Sequence, residues 1–118
     1  MNGEFINLDT AKKIQNNKNM TEDLLKIIEF YGVMPQLKYF QSEVFELNEA
    51  IIKERNTNYF GKAENYIEDV NHIAEEIADV MVMLMQFKEY YHIDGKEIMK
   101  IMKEKIDRQL GRIENESK

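Results

Sequence analysis

The chain has 118 residues, 43% of them hydrophobic and 32% charged, proportions that suit one soluble globular domain. Its net charge of −6 disfavours nucleic acid and anionic membranes as partners, and the absence of cysteine excludes disulfides and thiolate metal sites. The sequence contains neither a signal-peptide pattern nor an apolar run near the ~20 residues of a bilayer span, so we expect a cytoplasmic protein. One proline and five glycines are few, which favours helices.

Residues 1–20 are interpreted as an N-terminal extension with at most one short helix, from Asp9 to about Asn17, ended by the polar stretch NNKN. A helical domain over 21–118 follows. Cap and turn signals divide this domain: Thr21 as an N-cap, Gly32 before Pro35, the loop NTNYFGK, and the break at Asp94–Gly95. The predicted helices cover about 21–31, 35–55, 63–92 and 94–113. Their short connections predict an all-α fold of four main antiparallel helices in a bundle.

The third of these predicted helices is apolar on nearly all sides between Ile77 and Met85. A helix at the surface of a small monomer keeps a polar face, so this segment is expected to be buried on several sides. We therefore predict a homo-oligomer, a symmetric dimer or a tetramer, with this helix at its centre. The alternative is a central helix in a monomeric bundle.

Asp79 is the only polar residue in this apolar run, and an unpaired buried carboxylate is costly. At about 100° per residue, Glu76 falls within the apolar stripe of its helix and Asp79 at the edge of that stripe. The preceding helix repeats the construction, with Glu43 within the stripe and Glu46 at its edge. Because the axial rise within each pair is ~4.5 Å, its two carboxylates can converge on one point.

Antiparallel packing through these faces would bring four carboxylates into a partly dry pocket, where they require protonation or a cation. Oxygen ligands without cysteine or a convergent histidine select a hard ion, Mg²⁺ or Mn²⁺ before zinc. Solvated surface charge is the common explanation for an isolated E-x-x-E or E-x-x-D. The position of Glu43 and Glu76 within apolar arcs favours the metal site instead.

Two motifs resemble those of a known family: SEVFEL at 42–47 and EEIADVMVML at 75–84, preceded by YGVMPQL at 31–37. An E-x-x-E helix followed by an E-x-x-D helix is similar to the MazG-like all-α nucleoside triphosphate pyrophosphohydrolases, over roughly residues 21–113. Two features depart from the family pattern. The two motifs are widely spaced, and Ser42 occupies a position where the family often has a second glutamate.

The resemblance implies Mg²⁺-dependent hydrolysis of a nucleoside triphosphate at the α-phosphorus, giving a nucleoside monophosphate and pyrophosphate, in a house-cleaning role. Water activated by the metal or a carboxylate would attack, and the metal would neutralise the triphosphate, with Mn²⁺ as a substitute for Mg²⁺. The residues implied as both metal ligands and catalytic groups are Glu43, Glu46, Glu76 and Asp79.

The resemblance also implies substrate contacts outside the acidic motifs. Family members carry basic residues on the last helix that reach the phosphates, and here Lys105 and Arg108 are the first choice. A second register uses Lys103 with Asp107, and a plain solvated basic stripe is the third interpretation. Gln36 is implied as a substrate contact. Candidates for stacking on a nucleobase are aromatic residues in or near the first acidic helix and the following loop: Tyr31, Tyr39, Phe40, Tyr59 and Phe60.

Two other classes of protein compete with this interpretation. A di-iron carboxylate bundle needs E-x-x-H motifs on separate helices, whereas the motifs ending at His72 and His92 lie ~30 Å apart on one predicted helix, which excludes that class. A non-catalytic, oligomeric helical interaction module with an adaptable methionine surface remains an alternative. Such a module has no need of acids within its apolar stripes.

Overall fold

The computed structural model describes residues 8–59 and 65–117, and within these ranges it contains four α-helices and no strand. The all-α prediction and the number of main helices are therefore confirmed. The helices are α1 (Leu8–Tyr31), α2 (Val33–Tyr59), α3 (Tyr66–Tyr90) and α4 (Gly95–Glu116). Within the described part of the chain, no helix is both long and apolar enough to cross a membrane.

The first helix differs from its prediction, because α1 runs without interruption from Leu8 to Tyr31. The prediction of a break at NNKN, with Thr21 as the N-cap of a new helix, was wrong. Asparagine and lysine lower helix propensity by only some tenths of a kcal/mol relative to alanine, so this polar stretch weakens the helix without ending it. The real end is at Gly32, whose φ of +92° is a backbone conformation that favours glycine.

The boundary between α3 and α4 lies at the break predicted at Asp94–Gly95. Asp94 caps α4, since its Oδ1 accepts a hydrogen bond from the Lys96 backbone N–H at 2.9 Å. The second helix is longer than predicted and continues to Tyr59, through the first part of the expected loop. The rest of that loop, including Phe60, lies outside the described residues.

Contacts between α2 and α3 establish that these two helices are antiparallel. Gln36 near the start of α2 bonds Gln86 near the end of α3 at 2.8 Å, and Lys53 near the end of α2 lies 3.9 Å from Asp69 near the start of α3. Helix α1 joins this pair and packs mainly against α3. The buried apolar residues between these three helices are Leu24, Ile28, Ala50 and Met83.

The fourth helix stays outside this packing, and none of its residues is buried. In the single chain, the predicted bundle of four antiparallel helices is therefore a packed set of three. The Cα radius of gyration of 19.3 Å exceeds the ~13.5 Å expected of a compact chain of this length. Most of the apolar residues between Ile77 and Met85 are also exposed, and Met83 is the buried exception. The part of the chain that the structure describes does not supply the buried surroundings predicted for that segment.

Candidate functional site

Three carboxylates from two helices converge where α2 and α3 cross. Glu43 and Glu46 lie one turn apart on α2, and Glu76 approaches from α3. One carboxylate oxygen from each residue can be chosen so that all three lie within 4.8 Å of one another. The antiparallel packing of the two helices produces this convergence, because it places the acidic turn of one against the acidic turn of the other.

Two of the three carboxylates are buried, and each of these two has one oxygen without a hydrogen-bond partner in the described part of the chain. Glu43 is 5% exposed and Glu76 8% exposed, while Glu46 reaches the group from the solvent side. Within the described residues, Glu43 Oε2 and Glu76 Oε2 are buried and accept no hydrogen bond. Buried carboxylate oxygens that lack donors are strongly destabilising unless a cation neutralises them. The donor set therefore fits a hard divalent cation held by oxygen ligands.

The surroundings of Glu43 favour its protonated form. Burial raises the pKa of the Glu43 carboxyl above its usual range, a hydrogen bond from Tyr39 opposes this shift, and the charges of Glu46 and Asp79 add to it. The same hydrogen bond to Glu43 is the main reason that the pKa of the Tyr39 phenol is raised. The phenol thus stays protonated and remains a donor to the carboxylate.

The surroundings of Glu76 act in the same direction. Burial raises the pKa of this carboxyl, and the neighbouring charges of Glu46 and Asp79 raise it further. His72, one turn earlier on α3, opposes the rise; its Nε2 lies 3.8 Å from Glu76 Oε1. Two acids with raised pKa values at one point are the signature of a site that lacks positive charge.

Asp79 lies beside this group and not within it. Its side chain is exposed, although the prediction placed it in a partly dry pocket with the other acids, and it does not belong to the set of convergent oxygens. Its charge nevertheless affects Glu43, Glu76 and Tyr39. The expected convergence of four carboxylates is therefore a convergence of three, with Asp79 at the border.

A cavity of about 500 Å³ opens beside the carboxylates between α1, α2 and α3. Glu43 and Asp79 line its acidic end, and Gln36 and Gln86 line it together with aromatic and apolar side chains. Its volume lies within the range of small-molecule sites. The predicted substrate contact Gln36 thus shares a cavity with Glu43.

A second cavity of about 400 Å³ lies on the other side of the carboxylates. Glu46 and Glu76 line it together with Glu49, His72 and Lys53. The Lys53 ammonium is also 3.9 Å from a carboxylate oxygen of the buried Asp69, so its charge is shared between the cavity and that residue.

The basic residues predicted to contact phosphates lie elsewhere in this chain. Lys105 and Arg108 are exposed on α4, the helix without buried residues. Lys103 forms a salt bridge with Asp107 on the same helix, with N–O distances of 2.7 and 2.9 Å. Of the aromatic candidates, Tyr31 and Tyr39 line the cavity beside Glu43, whereas the Phe40 ring packs edge-to-face on Phe87. The side chain of Tyr59 and all of Phe60 lie outside the described part of the chain.

Sequence reasoning missed three residues of the site: Tyr39 as a hydrogen-bond partner, His72 as a neighbour of Glu76, and Gln86. Gln86 had a detectable signal, because it is the only polar residue between Asp79 and Lys88. His72 had one too, since the i,i+4 spacing places it beside Glu76 on the helix surface.

The pKa shifts predict how the metal-free protein responds to pH. A carboxyl whose pKa is raised in the folded state contributes stability that is complete below the unfolded value, here 4.5, and is lost as the pH rises through the raised value. In EDTA, the wild-type melting temperature should therefore fall between pH 4.5 and neutrality relative to a Glu43→Gln/Glu76→Gln variant. Thermal melting followed by circular dichroism at several pH values measures this difference. A difference that stays constant across the range would contradict the expectation.

Comparison with known proteins gives one match. A family model described as the MazG nucleotide pyrophosphohydrolase domain matches residues 35–110, more than half of the chain. The matched segment contains the three convergent glutamates, Asp79 and both basic candidates of α4. Comparisons with curated proteins and with solved structures each found no match.

Proposed function

Because the chain belongs to the MazG nucleotide pyrophosphohydrolase family, we propose that it hydrolyses nucleoside triphosphates to nucleoside monophosphates and pyrophosphate in a divalent-metal-dependent reaction. Removal of unwanted nucleotides, a house-cleaning role, belongs to the same proposal. The observation that carries it is the convergence of Glu43, Glu46 and Glu76 within 4.8 Å, with buried and partnerless oxygens on two of them. A site of this kind binds a cation, and a triphosphate is a ligand that brings cations with it.

The proposed roles of the three glutamates follow from how deeply each side chain is buried. Glu43 and Glu76 are buried, so they would be the fixed ligands of a divalent ion, and the exposed Glu46 would hold that ion from the solvent side. A bound Mg²⁺, or Mn²⁺ in its place, would supply neutralisation of the phosphate charge and a lower pKa for the attacking water. The donor hydroxyl of Tyr39 keeps the Glu43 carboxylate oriented.

Asp79 has a different position and we assign it a different proposed role. Its carboxylate is exposed at the edge of the cavity beside Glu43, which lets it accept a proton from a water that approaches the α-phosphorus. The water oxygen forms the new bond to phosphorus, the bond to the bridging oxygen breaks, and pyrophosphate leaves with the electron pair. Binding of the ion by Asp79 once substrate is present is compatible with the same position.

The proposal includes a homo-oligomer, either a dimer or a tetramer. An apolar cavity of about 700 Å³ separates the start of α4 from the end of α3, lined by Met81, Leu84, Ile98 and Met99 among others. The apolar stripe of α4 continues beyond it through Ile106 and is exposed. A second copy of the same chain is the proposed occupant, because obligate interfaces between identical subunits are large and apolar. Such an assembly would also bring Lys105 and Arg108 to a phosphate bound by the partner.

The position of bond cleavage tests the proposed reaction. Hydrolysis in ¹⁸O-labelled water with Mg²⁺ should place the label in the nucleoside monophosphate, because water attacks the α-phosphorus. Mass spectrometry of both products reads this directly. Label in the pyrophosphate would indicate attack at the β-phosphorus, and release of inorganic phosphate alone would indicate a different reaction.

The second candidate function is a non-catalytic, oligomeric helical interaction module. The exposed apolar surface of α3 and α4 is the observation in its favour. It leaves the buried glutamates without an explanation, since a docking surface has no use for them. A calorimetric titration separates the two candidates: no Mg²⁺ binding, together with no rise in melting temperature, would favour the interaction module.

A further inference from the structure

The cavity of about 400 Å³ on the Glu46 side of the carboxylates is lined by a lysine as well as by acids. Lys53 of α2 faces it together with Glu46, Glu49, His72 and Glu76. Lysine combines a compact positive charge with three N–H donors on a long, flexible stem. The reaction proposed above uses the convergent glutamates but gives Lys53 no role.

The ammonium group of Lys53 is not committed to another side chain by a hydrogen bond to Asp69. Lys53 Nζ lies 3.9 Å from Asp69 Oδ1, which is longer than a hydrogen bond. The Lys53 side chain is 71% exposed, whereas that of Asp69 is 6% exposed. The charge of the buried carboxylate thus holds the ammonium at the cavity, and the N–H donors of the ammonium stay available to a ligand.

Lys53 lies on the same face of α2 as Glu46. Seven residues separate the two, which is two turns of helix and about 10.5 Å along the axis. Side chains on a helix tilt toward its N-terminal end, and for Lys53 this is the direction of Glu46. The same rule tilts Glu76 toward the start of α3, which lies beside the end of α2 because the two helices are antiparallel. An anion that extends from the carboxylates along this cavity would therefore meet the Lys53 ammonium.

The charge of the site calls for a cation at this position. Once an ion is bound, three ionised glutamates carry more negative charge than one divalent ion neutralises, and Glu49 adds a further carboxylate to this cavity. A phosphate bound directly to the ion is attracted, but phosphates further along the same chain are repelled by the carboxylates. A positive charge beyond the acids offsets this repulsion. Lys53 has that position.

The larger cavity beside Glu43 offers no such charge. Among the described residues that line it, none is a lysine, an arginine or a histidine. Lys105 and Arg108 are exposed on α4, the helix without buried residues. Within the described part of a single chain, the distribution of charge therefore favours the Glu46 side for the anionic end of a substrate.

We propose that Lys53 binds the terminal phosphates of the substrate, and then the departing pyrophosphate, in the cavity on the Glu46 side. This inference rests on the proposed function for the identity of the ligand. The ammonium donates hydrogen bonds to phosphate oxygens. It also offsets the negative charge that the bridging oxygen gains as its bond to the α-phosphorus breaks.

A purely structural role for Lys53 would give a different result. A lysine that only paired with Asp69 would join the end of α2 to the start of α3, and such ion pairs contribute little to stability when one partner is exposed. Its loss would affect the binding of both reaction products alike, or of neither. A residue that binds the terminal phosphates affects pyrophosphate and spares the nucleoside monophosphate. The ratio of the two inhibition constants therefore separates the roles.

The experiment measures inhibition by pyrophosphate and by the nucleoside monophosphate in the presence of Mg²⁺. In Lys53→Met, the inhibition constant of pyrophosphate should rise at least about tenfold, because a charge-assisted hydrogen bond is lost. The inhibition constant of the monophosphate should change by less than about twofold, since its phosphate does not reach Lys53. Lys38→Met is the matched control, because it removes an exposed lysine of the same helix that lines neither cavity. It should keep both wild-type constants.

Thermal melting checks that each variant folds. If Lys53→Met does not fold, the Lys53→Met/Asp69→Asn double variant takes its place, since it removes both charges and avoids leaving the buried Asp69 without a cation. A folded variant in which pyrophosphate inhibits as in the wild type would overturn the inference. Equal weakening of both products would overturn it as well, and either result leaves the pyrophosphohydrolase proposal intact.

A calorimetric titration with pyrophosphate in Mg²⁺ buffer keeps the two proposals separate if the protein hydrolyses no nucleotide. Binding to the wild type that weakens at least tenfold in the folded Lys53 variant, and not in Lys38→Met, would support the role of Lys53 even though the proposed reaction has failed. No binding to the wild type, or equal binding to the wild type and both variants, would overturn that role.

Discussion

Replacing Glu76 by glutamine is expected to abolish Mg²⁺-dependent pyrophosphate release while making the metal-free protein more stable at neutral pH. The variant loses one of three convergent ligands, so several kcal/mol of metal-assisted stabilisation disappear and kcat/KM falls about a thousandfold or more. The same change removes a buried carboxylate whose pKa is raised by burial, which is why the folded state gains. Pyrophosphate release and thermal melting in EDTA measure the two effects.

The neighbouring residue provides a matched control. Glu75→Gln makes the same chemical change one position away, on a side chain that is 78% exposed. It should retain most of the activity and have little effect on stability. A Mg²⁺ concentration of a hundred times Kd should stabilise wild type and this control by about 2.7 kcal/mol, and Glu76→Gln should lose this increment. Wild-type turnover in Glu76→Gln would remove that residue from the site.

The Asp79→Asn variant tests whether Asp79, at the edge of the carboxylate group, acts in turnover without binding the metal ion in the free enzyme. Because Asp79 lies outside the convergent group, its loss should reduce turnover strongly and leave Mg²⁺ binding by the free enzyme largely unchanged. Loss of both properties together would place Asp79 among the metal ligands.

If the chain forms the proposed oligomer, replacing Ile106 by glutamate is expected to convert that oligomer to a monomer. Ile106 is 52% exposed in the apolar stripe of α4, which the proposed assembly covers with a second copy. Burying an unpaired charge there costs at least about 2 kcal/mol per site, and a two-fold interface contains the site twice. The dissociation constant should therefore rise about a thousandfold or more. Size-exclusion chromatography with light scattering measures the mass directly.

The same helix offers the control for this prediction. Ile101→Glu is an identical change at 40% exposure, and at about 100° per residue Ile101 lies about 140° from Ile106, on the other side of α4. This variant should remain an oligomer. A wild-type protein that is monomeric at assay concentration would end the oligomer proposal, and with it the proposed supply of Lys105 and Arg108 by a partner. Loss of turnover in monomeric Ile106→Glu would support that supply.

The helical fold class and the inward-facing glutamates could be predicted from the sequence for one reason. Helix periodicity is a local property, so the angle of Glu43 and Glu76 relative to their apolar neighbours could be calculated before any packing was known. Both residues are buried as calculated, whereas Asp79, calculated to lie at the edge of the stripe, is exposed and was expected to share a partly dry pocket with the other three acids. The helix end at Gly32 and the helix start at Asp94 could also be predicted locally, since a positive φ and an N-cap depend on adjacent residues only.

Two predictions failed in α1 and α4. The predicted end of α1 depended on how strongly a polar stretch breaks a helix, and the predicted packing of α4 depended on which residues surround it in three dimensions. The NNKN stretch of α1 contains no glycine or proline, and residues of modest propensity do not end a helix that continues on both sides. The packing of α4 was predicted from its length and its short connection to α3. Such features do not determine whether an amphipathic face meets its own chain or another copy.

The sequence by itself determined that this protein is helical, that two of its helices each place an acid within an apolar stripe, and that such acids require either protonation or a cation. Only the tertiary structure decided that three of the four acids converge, that Tyr39 and His72 adjoin them, and that Gln36 meets Gln86 two turns away. The physical reason is that periodicity gives the angle of a side chain around its own helix. The position of that side chain along the helix axis, relative to side chains on the neighbouring helix, is set by how α2 and α3 pack along their whole length.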